Sequence, residues 1–166
     1  MALLPTGCVI RAAKPGDAAD IFGLIQELAH FEKLEQSVTG SPEQLAEHLF
    51  REPTYAEAVV ATLENEMVGF ALFFTNYSTF LTRPGLYLED LFVRSAHRRQ
   101  GIGTALLQQV AKIALERHCG RMEWSVLDWN EGAIATYETL GATVLPDWRI
   151  CRITGDNLNV LAHRSS

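Results

Sequence analysis

The segment that contains Arg98, Gly101 and Gly103 has the residue types of an anion-binding loop. It follows an apolar run and precedes a stretch with helical periodicity that begins near residue 102. Glycine lets the backbone come close to a ligand, and the first turn of a helix offers unpaired N–H groups at the positive end of its dipole. The segment therefore predicts a pyrophosphate site, to which Arg98 and Arg99 add positive charge.

Three kinds of phosphate-binding loop can be compared with this segment. A Walker-type loop requires Gly-Lys followed by Ser or Thr, which the segment lacks. A dinucleotide fingerprint has a third glycine where this chain has Leu106, and it does not fit the eight loop residues 94–101. The third pattern, R/Q-x-x-G-x-G/A, is matched at Arg98, Gly101 and Gly103, and it resembles the coenzyme A loop of the GNAT acetyltransferase superfamily. A glycine-containing turn before a surface helix also fits these six residues taken alone.

A second segment, about thirty residues further along the chain, adds to this resemblance. Asn130, Ala133 and Tyr137 are similar to the N-x-x-A-x-x-x-Y segment of the same superfamily, and a helix-ending Gly-Ala follows at 141–142. Ala133 and Tyr137 are four residues apart and so share one helix face. Tyr137 is also compatible with a core tyrosine. Asn130 is compatible with a plain N-cap, and an N-cap can bind a ligand as well.

Most of the chain, residues 8–153, resembles the spermidine/spermine acetyltransferase family, and in particular its thialysine acetyltransferase branch. The segments that carry the resemblance are 27–34, 86–93 and 126–130. The resemblance implies acetyl-CoA as cosubstrate, a small-molecule amine as substrate, and a homodimer. The apolar run at 148–153 is a candidate dimer contact, and it fits an internal strand of the monomer equally well.

The resemblance also assigns residues to the two ligands. It places the coenzyme on a strand end, on the glycine loop and on a helix start, namely on Leu91, Phe92, Val93, Arg98, Arg99, Gln100, Gly101, Ile102, Gly103, Thr104, Asn130, Glu131, Gly132 and Ala133. It places the amine near Phe31, Glu32, Glu89, Glu123, Trp124 and Ser125. It makes Tyr137 the general acid, and Tyr137 and Glu89 are the expected catalytic residues.

Acetyl transfer to an amine needs a proton acceptor, a donor to the oxyanion and a proton donor to the leaving group. A primary alkylamine has a pKa near 10.4, so losing its proton costs about 4 kcal/mol near pH 7.4. Glu89 is expected to accept this proton through water; a strand carboxylate paired with an arginine is the alternative. The N–H of Val93, or of a neighbour, is expected to stabilise the oxyanion. Tyr137 can then protonate the thiolate. No covalent enzyme intermediate is required, so direct attack by the amine within a ternary complex is expected.

One departure from the family pattern bears on the substrate. Polyamine-specific members carry Asp-Pro-Trp in the loop before the central strand, where this chain has Tyr77, Ser78, Thr79 and Phe80. A contact for a distant second ammonium is therefore missing, which favours a shorter substrate such as thialysine over spermidine. A protein or peptide acetyltransferase and a non-catalytic acyl-CoA sensor are the alternative functions.

The elements that must position these residues follow from hydrophobic periodicity and turn signals. Together they predict one α/β domain over residues 1–166, with a mixed, splayed, GNAT-like sheet flanked by helices. The predicted strands are 8–12, 57–63, 67–75, 86–93, 121–127 and one or two within 143–154. One helix is predicted to begin at residues 15–17, and three more are predicted at 42 to about 50, 102–117 and 130–140. A loop is predicted at 76–85.

Composition and net charge limit the classes of binding partner that are expected. The 166 residues carry a formal net charge of −6, whereas nucleic-acid-binding domains usually present a basic face, so no nucleic acid is expected. There is no apolar run of the roughly 20 residues that span a bilayer and no secretory signal, so no membrane partner and a cytoplasmic location are expected. The three cysteines and five histidines have no metal-ligand spacing, so no metal is expected.

Overall fold

The computed structural model describes residues 4–164, which divide into two compact units. The first unit ends at Ser125 and the second begins at Val126. The first contains the elements β1 (Val9–Ala12), α1 (Ala18–Glu32), α2 (Pro42–Phe50), β2 (Glu57–Leu63), β3 (Glu66–Ser78), β4 (Arg83–Val93), α3 (Ile102–Glu116) and β5 (Met122–Trp124). The second contains α4 (Glu131–Thr139) and α5 (Asp156–Ala162).

The five strands form one sheet in the order β1-β2-β3-β4-β5. The first four strands are antiparallel to their neighbours, and β4 pairs with β5 in parallel. A parallel neighbour requires a crossover, which α3 supplies. The mixed α/β sheet predicted from the sequence is therefore confirmed.

Local sequence signals account for the helix and hairpin boundaries in this unit. The Ser41 hydroxyl accepts a hydrogen bond from the Gln44 N–H at 3.2 Å, which caps α2 as its Ser-Pro start predicts. Glu64 and Asn65 both adopt positive φ, at 50° and 69°, which suits the tight turn between β2 and β3.

Two apolar layers hold the sheet in place. Ile21 and Leu24 of α1 are fully buried and belong to the same cluster as Phe70 and Leu72 of β3. On α3, apolar residues at helical spacing are also buried, including Leu106 and Val110. Burial of each such side chain contributes about 1.5–3 kcal/mol, so α1 and α3 are fixed against the sheet that carries the site.

The predicted loop at 76–85 is wrong. β3 continues to Ser78 and β4 begins at Arg83, and their register runs without a break from the pair Phe73–Leu88 to the pair Ser78–Arg83. The Pro84 carbonyl accepts a hydrogen bond from the Gly120 N–H at 2.8 Å, and the Leu86 N–H donates to the Arg121 carbonyl at 3.1 Å. The nitrogen of Pro84, two residues before Leu86, therefore faces away from β3, so its missing N–H removes no hydrogen bond to β3. The connection is thus only residues 79–82, and β5 is shorter than the predicted strand at 121–127.

The second unit agrees with the sequence at its start and differs at its end. Gly141 has φ of 94° and ends α4, as a helix-terminating glycine does. The predicted strands within 143–154 are wrong, because this range is irregular in the structure and α5 follows it. Its apolar residues are exposed, including Trp148 at 78% and Ile150 at 67%. An apolar run forms a strand only where another strand pairs with it, and none of the described strands pairs with this range.

No helix within residues 4–164 combines the length and the apolar character that crossing a membrane requires.

Candidate functional site

A β-bulge at Glu89 interrupts the central strand β4. Leu88 pairs with Phe73 and Asp90 pairs with Leu72, so Glu89 has no opposite residue on β3. On the other edge, β5 pairs with β4 only from Leu86 to Leu88. A bulge re-aims the side chains around it, and such features are frequent beside active sites. From Glu89 to its end, β4 therefore has an edge that β5 leaves unpaired.

The hydrogen-bonding groups of Val93 face this edge. The Arg94 N–H donates to the Val68 carbonyl at 2.9 Å, and N–H groups alternate between the two edges of an antiparallel strand. The N–H groups of Leu91 and Val93 consequently point away from β3. The side chains of Phe92 and Val93 are buried, so a ligand at this edge would meet the backbone of these residues.

The glycine loop joins this edge to α3. Arg99 and Gly101 adopt positive φ, and Gly101 is the N-cap of α3. A methyl group placed on Gly103 would have Val93 Cγ2, at 3.8 Å, as its nearest neighbour. Gly103 is thus not required by packing, and the space beside it is consistent with a ligand held against the helix N-terminus. Ile102 is buried and anchors the helix start.

Arg98 holds the loop against the end of β4. Its Nε donates to the Val93 carbonyl at 2.9 Å, and its Cζ lies 4.4 Å from the centre of the Phe31 ring and 5.5 Å from that of Phe92. Cation–π contacts of this kind contribute about 0.5–1 kcal/mol at exposed sites. The structure therefore brings together Arg98, predicted for the coenzyme, and Phe31, predicted for the amine.

A group of carboxylates, Glu32, Glu89 and Asp90, surrounds the bulge. The pKa of Asp90 is raised from 3.8 to about 6, chiefly by burial and then by the charges of Glu89 and Glu32. Burial also raises the pKa of Glu32. Strict alternation predicts that Glu89 and Asp90 point to opposite faces, but the bulge breaks the alternation and their charges interact. These three residues are called the carboxylate cluster below.

The predicted residues of β5 contact β3 and β4. Glu123 Oε2 lies 2.9 Å from Arg121 Nε and accepts a hydrogen bond from Asn76 Nδ2 at 3.1 Å. The hydroxyls of Ser125 and Tyr87 are 2.7 Å apart. Trp124 is half-buried and pairs with Leu88.

In the second unit, the predicted residues lie on and before α4. The Asn130 side chain caps this helix by accepting a hydrogen bond from the Ala133 N–H at 3.3 Å, as the N-cap reading predicts. Glu131 and Gly132 are exposed in the first turn. Burial raises the pKa of Tyr137, so its hydroxyl keeps its proton at neutral pH.

Comparison with known proteins identifies the family. The model of the acetyltransferase (GNAT) family matches residues 24–142. The chain belongs to the GNAT acetyltransferase family. It is 38% identical to the thialysine N-epsilon-acetyltransferase of Mus musculus, over 93% of this chain and 97% of that protein. It is 35% identical to an L-ornithine N5-acetyltransferase of Arabidopsis thaliana, over 92% of this chain and 86% of that protein.

A solved structure has the same fold. An integron cassette protein from the mobile metagenome of V. cholerae superposes on this acetyltransferase with a TM-score of 0.79 at 26% identity, over 96% of this chain and 99% of that one. The family resemblance and the GNAT-like fold drawn from the sequence are thus confirmed, and the protein is an N-acetyltransferase enzyme.

Sequence reasoning missed two parts of the site in this acetyltransferase. Asp90 is one of them, because a bulge has no sequence signature strong enough to show that the carboxylates of Glu89 and Asp90 lie together. The contact of Glu123 with Asn76 links β5 to β3, and single-strand patterns do not reveal it. In the part of the chain that the structure describes, no group of three or more His, Cys, Asp or Glu residues is arranged to hold a metal ion.

Proposed function

We propose that this chain is an acetyl-CoA-dependent N-acetyltransferase that modifies the side-chain primary amine of a small cationic substrate, a thialysine-like amino acid or a diamine. The observation that carries the proposal is the carboxylate cluster at the bulge, at the unpaired edge of β4. Carboxylates attract an ammonium group, and the adjoining backbone N–H groups and glycine loop suit an acyl thioester with a pyrophosphate. The names of the Mus musculus and Arabidopsis thaliana relatives support an amine substrate of this size.

In this proposal the coenzyme is held mainly by backbone. The N–H groups at the start of α3 bind the pyrophosphate, within residues 98–104, and Arg99 adds charge at the surface. The unpaired edge of residues 91–93 accommodates the acyl arm. The family resemblance also assigns residues 130–133, in the second unit, to the coenzyme. We further propose a single N-acetyltransferase domain over residues 1–166, because the family model matches 24–142 and so includes residues of both units.

The proposed chemistry is a direct attack by the amine within a ternary complex. Glu89 accepts the ammonium proton through water, and Asp90 and Glu32 keep the potential at the bulge negative. The N–H of Val93 donates to the carbonyl oxygen as negative charge develops on it. Tyr137 donates its proton to the departing thiolate; its burial favours the protonated form that this role needs.

The proposal is tested by coenzyme A thiol release from acetyl-CoA with a panel of amines: thialysine, L-ornithine, putrescine, spermidine and lysine-containing peptides. We expect kcat/KM to be highest for thialysine or L-ornithine. Loss of one charged hydrogen bond costs about 1.5–3 kcal/mol, so spermidine should be roughly ten- to hundred-fold poorer. Release with peptides alone would refute the small-molecule proposal. Binding of acetyl-CoA without release would point to a sensor.

We also propose that the protein is a homodimer. The second unit exposes large apolar residues, Trp148, Ile150 and Leu161 among them, which a partner copy could cover. The family resemblance motivates the same assembly. Light scattering at micromolar protein is expected to give twice the 18.4 kDa chain mass, and a value equal to the chain mass would contradict the dimer.

A further inference from the structure

Three neighbouring strands place a pair of opposite charges on one face of the sheet. Asn76 of β3 pairs with Gly85 of β4, and its amide reaches Glu123 of β5 at 3.1 Å. Arg121 and Glu123 are two residues apart, so they share this face, and their side chains are joined at 2.9 Å. We call Arg121 and Glu123 the charge pair.

The packing beneath the charge pair leaves room only for glycine. A methyl group on Gly85 would lie 2.5 Å from Asn76 Oδ1 and 3.1 Å from the Arg121 carbonyl oxygen. Asn76 Oδ1 is itself buried, and it has no hydrogen-bond partner within the residues that the structure describes. An unpaired buried acceptor costs about 1–3 kcal/mol. A partly exposed ion pair contributes about 0–1 kcal/mol, so stability alone does not explain this arrangement.

The charge pair remains accessible to a small molecule. The side chains of Arg121 and Glu123 are 40% and 33% exposed. The contact of the pair joins the Arg121 Nε to Glu123 Oε2. A guanidinium has further N–H donors in a fork that matches a carboxylate, and a carboxylate oxygen can accept from an ammonium. The pair thus offers one anion receptor and one cation receptor side by side.

The charge pair lies at a suitable distance from the carboxylate cluster. Glu123 is level with Tyr87, which precedes Glu89 by two residues, or about 7 Å at the rise of a strand. In L-ornithine and thialysine, four or five bonds separate the reacting nitrogen from Cα, which is about 5–6 Å in an extended chain. An amine at Glu89 therefore brings the α-carbon of such a substrate close to the charge pair.

We propose that the charge pair binds the zwitterionic head group of an amino-acid substrate, with Arg121 donating to the α-carboxylate and Glu123 accepting from the α-ammonium. This rests on the proposed function and narrows its substrate class from small amines to free α-amino acids with a side-chain amine. A polyamine has no carboxylate for Arg121. The pair thus gives a positive reason for preferring an amino acid, in addition to the missing contact for a distant ammonium.

The test compares three substrates that differ only in the head group. L-Ornithine carries both charges, putrescine lacks the carboxylate, and 5-aminopentanoate lacks the α-amine. The variants are Arg121→Gln and Glu123→Gln, with Arg51→Gln as a control that removes the exposed ion pair of Arg51 with Glu47 on α2. The readout is a ratio of kcat/KM values for two substrates, which cancels general effects on the enzyme.

Arg121→Gln is expected to lower the ratio of kcat/KM for L-ornithine to kcat/KM for putrescine by about ten- to hundred-fold, because one charged hydrogen-bonding group is lost. Glu123→Gln is expected to lower the ratio of L-ornithine to 5-aminopentanoate by a similar factor. Arg51→Gln should leave both ratios at the parental value.

Equal losses for all substrates in Arg121→Gln would overturn the head-group assignment while leaving the proposed function intact. Parental ratios in both variants, with parental melting temperatures, would overturn it as well. If the parent enzyme acetylates none of the three amines and neither thialysine nor spermidine, the proposed function itself fails, and the two failures are thereby distinguished.

Discussion

Replacing Asp90 by Asn should stabilise the protein at neutral pH. The structure raises the pKa of Asp90 from 3.8 to about 6, chiefly through burial and then through the charges of Glu89 and Glu32. The folded state thus holds the Asp90 proton more tightly than the unfolded state does. Stability falls as the pH rises from about 4 to about 6, and the full cost persists above that range. The difference corresponds to at most about 3 kcal/mol at pH 7.4.

The assay is denaturant unfolding of the parent and of Asp90→Asn from pH 4 to pH 8. The two free energies of unfolding should agree near pH 4 and then separate, with the variant more stable by on the order of 2–3 kcal/mol at pH 7.4. Asp17, whose pKa the Arg11 guanidinium holds low, is present in both proteins, so its contribution cancels. Asn in place of the exposed Asp147 is a control that removes a carboxylate outside the cluster.

Two results would refute this reasoning. If the free energies of unfolding of the parent and Asp90→Asn changed in parallel with pH, burial and the neighbouring charges would not destabilise the ionised carboxylate of Asp90. A variant that is less stable at neutral pH would mean that the ionised carboxylate has a stabilising partner. The expected gain in stability should be accompanied by a lower kcat/KM for the amine, because the carboxylate that costs stability is one that attracts the substrate.

Further substitutions separate the coenzyme site from the chemistry. Gly103→Val should fold, because the nearest atom to an added Cβ is 3.8 Å away. The variant should lose most of the thermal stabilisation by acetyl-CoA, and equal shifts of melting temperature in parent and variant would remove this loop from the site. Tyr137→Phe should lower kcat by on the order of ten-fold or more while acetyl-CoA still binds, and parental kcat in a folded variant would exclude Tyr137 as the acid. Glu89→Gln should lower kcat/KM for the amine and alter its pH profile; an unchanged profile would argue against Glu89 as the proton acceptor.

Local signals in the sequence predicted the elements that carry the site. Ser41-Pro42, the glycine at 101 and the apolar stripe of α3 each act within a few residues, so α2, the loop and α3 were located correctly. The turn at Glu64 and Asn65 likewise placed the β2–β3 hairpin. What depends on a partner strand was not predictable in this way.

Three features depended on such partners. Residues 76–78 and 83–85 look like a loop because they contain Pro84 and Gly85, but pairing between β3 and β4 makes them strand. The bulge at Glu89 arises from the register of two strands and is what places Asp90 in the carboxylate cluster. The apolar residues within 143–154 suggested strands, whereas none of the described strands pairs with them.

The central claim is tested most directly by identifying the product formed from acetyl-CoA and L-ornithine or thialysine. The proposed function predicts a product heavier by one acetyl group, with NMR placing that group on the side-chain nitrogen, formed at a rate equal to coenzyme A thiol release. Glu89→Gln should form the same product more slowly. Thiol release without an acetylated amine, or acetyl groups found only on peptides, would contradict the claim.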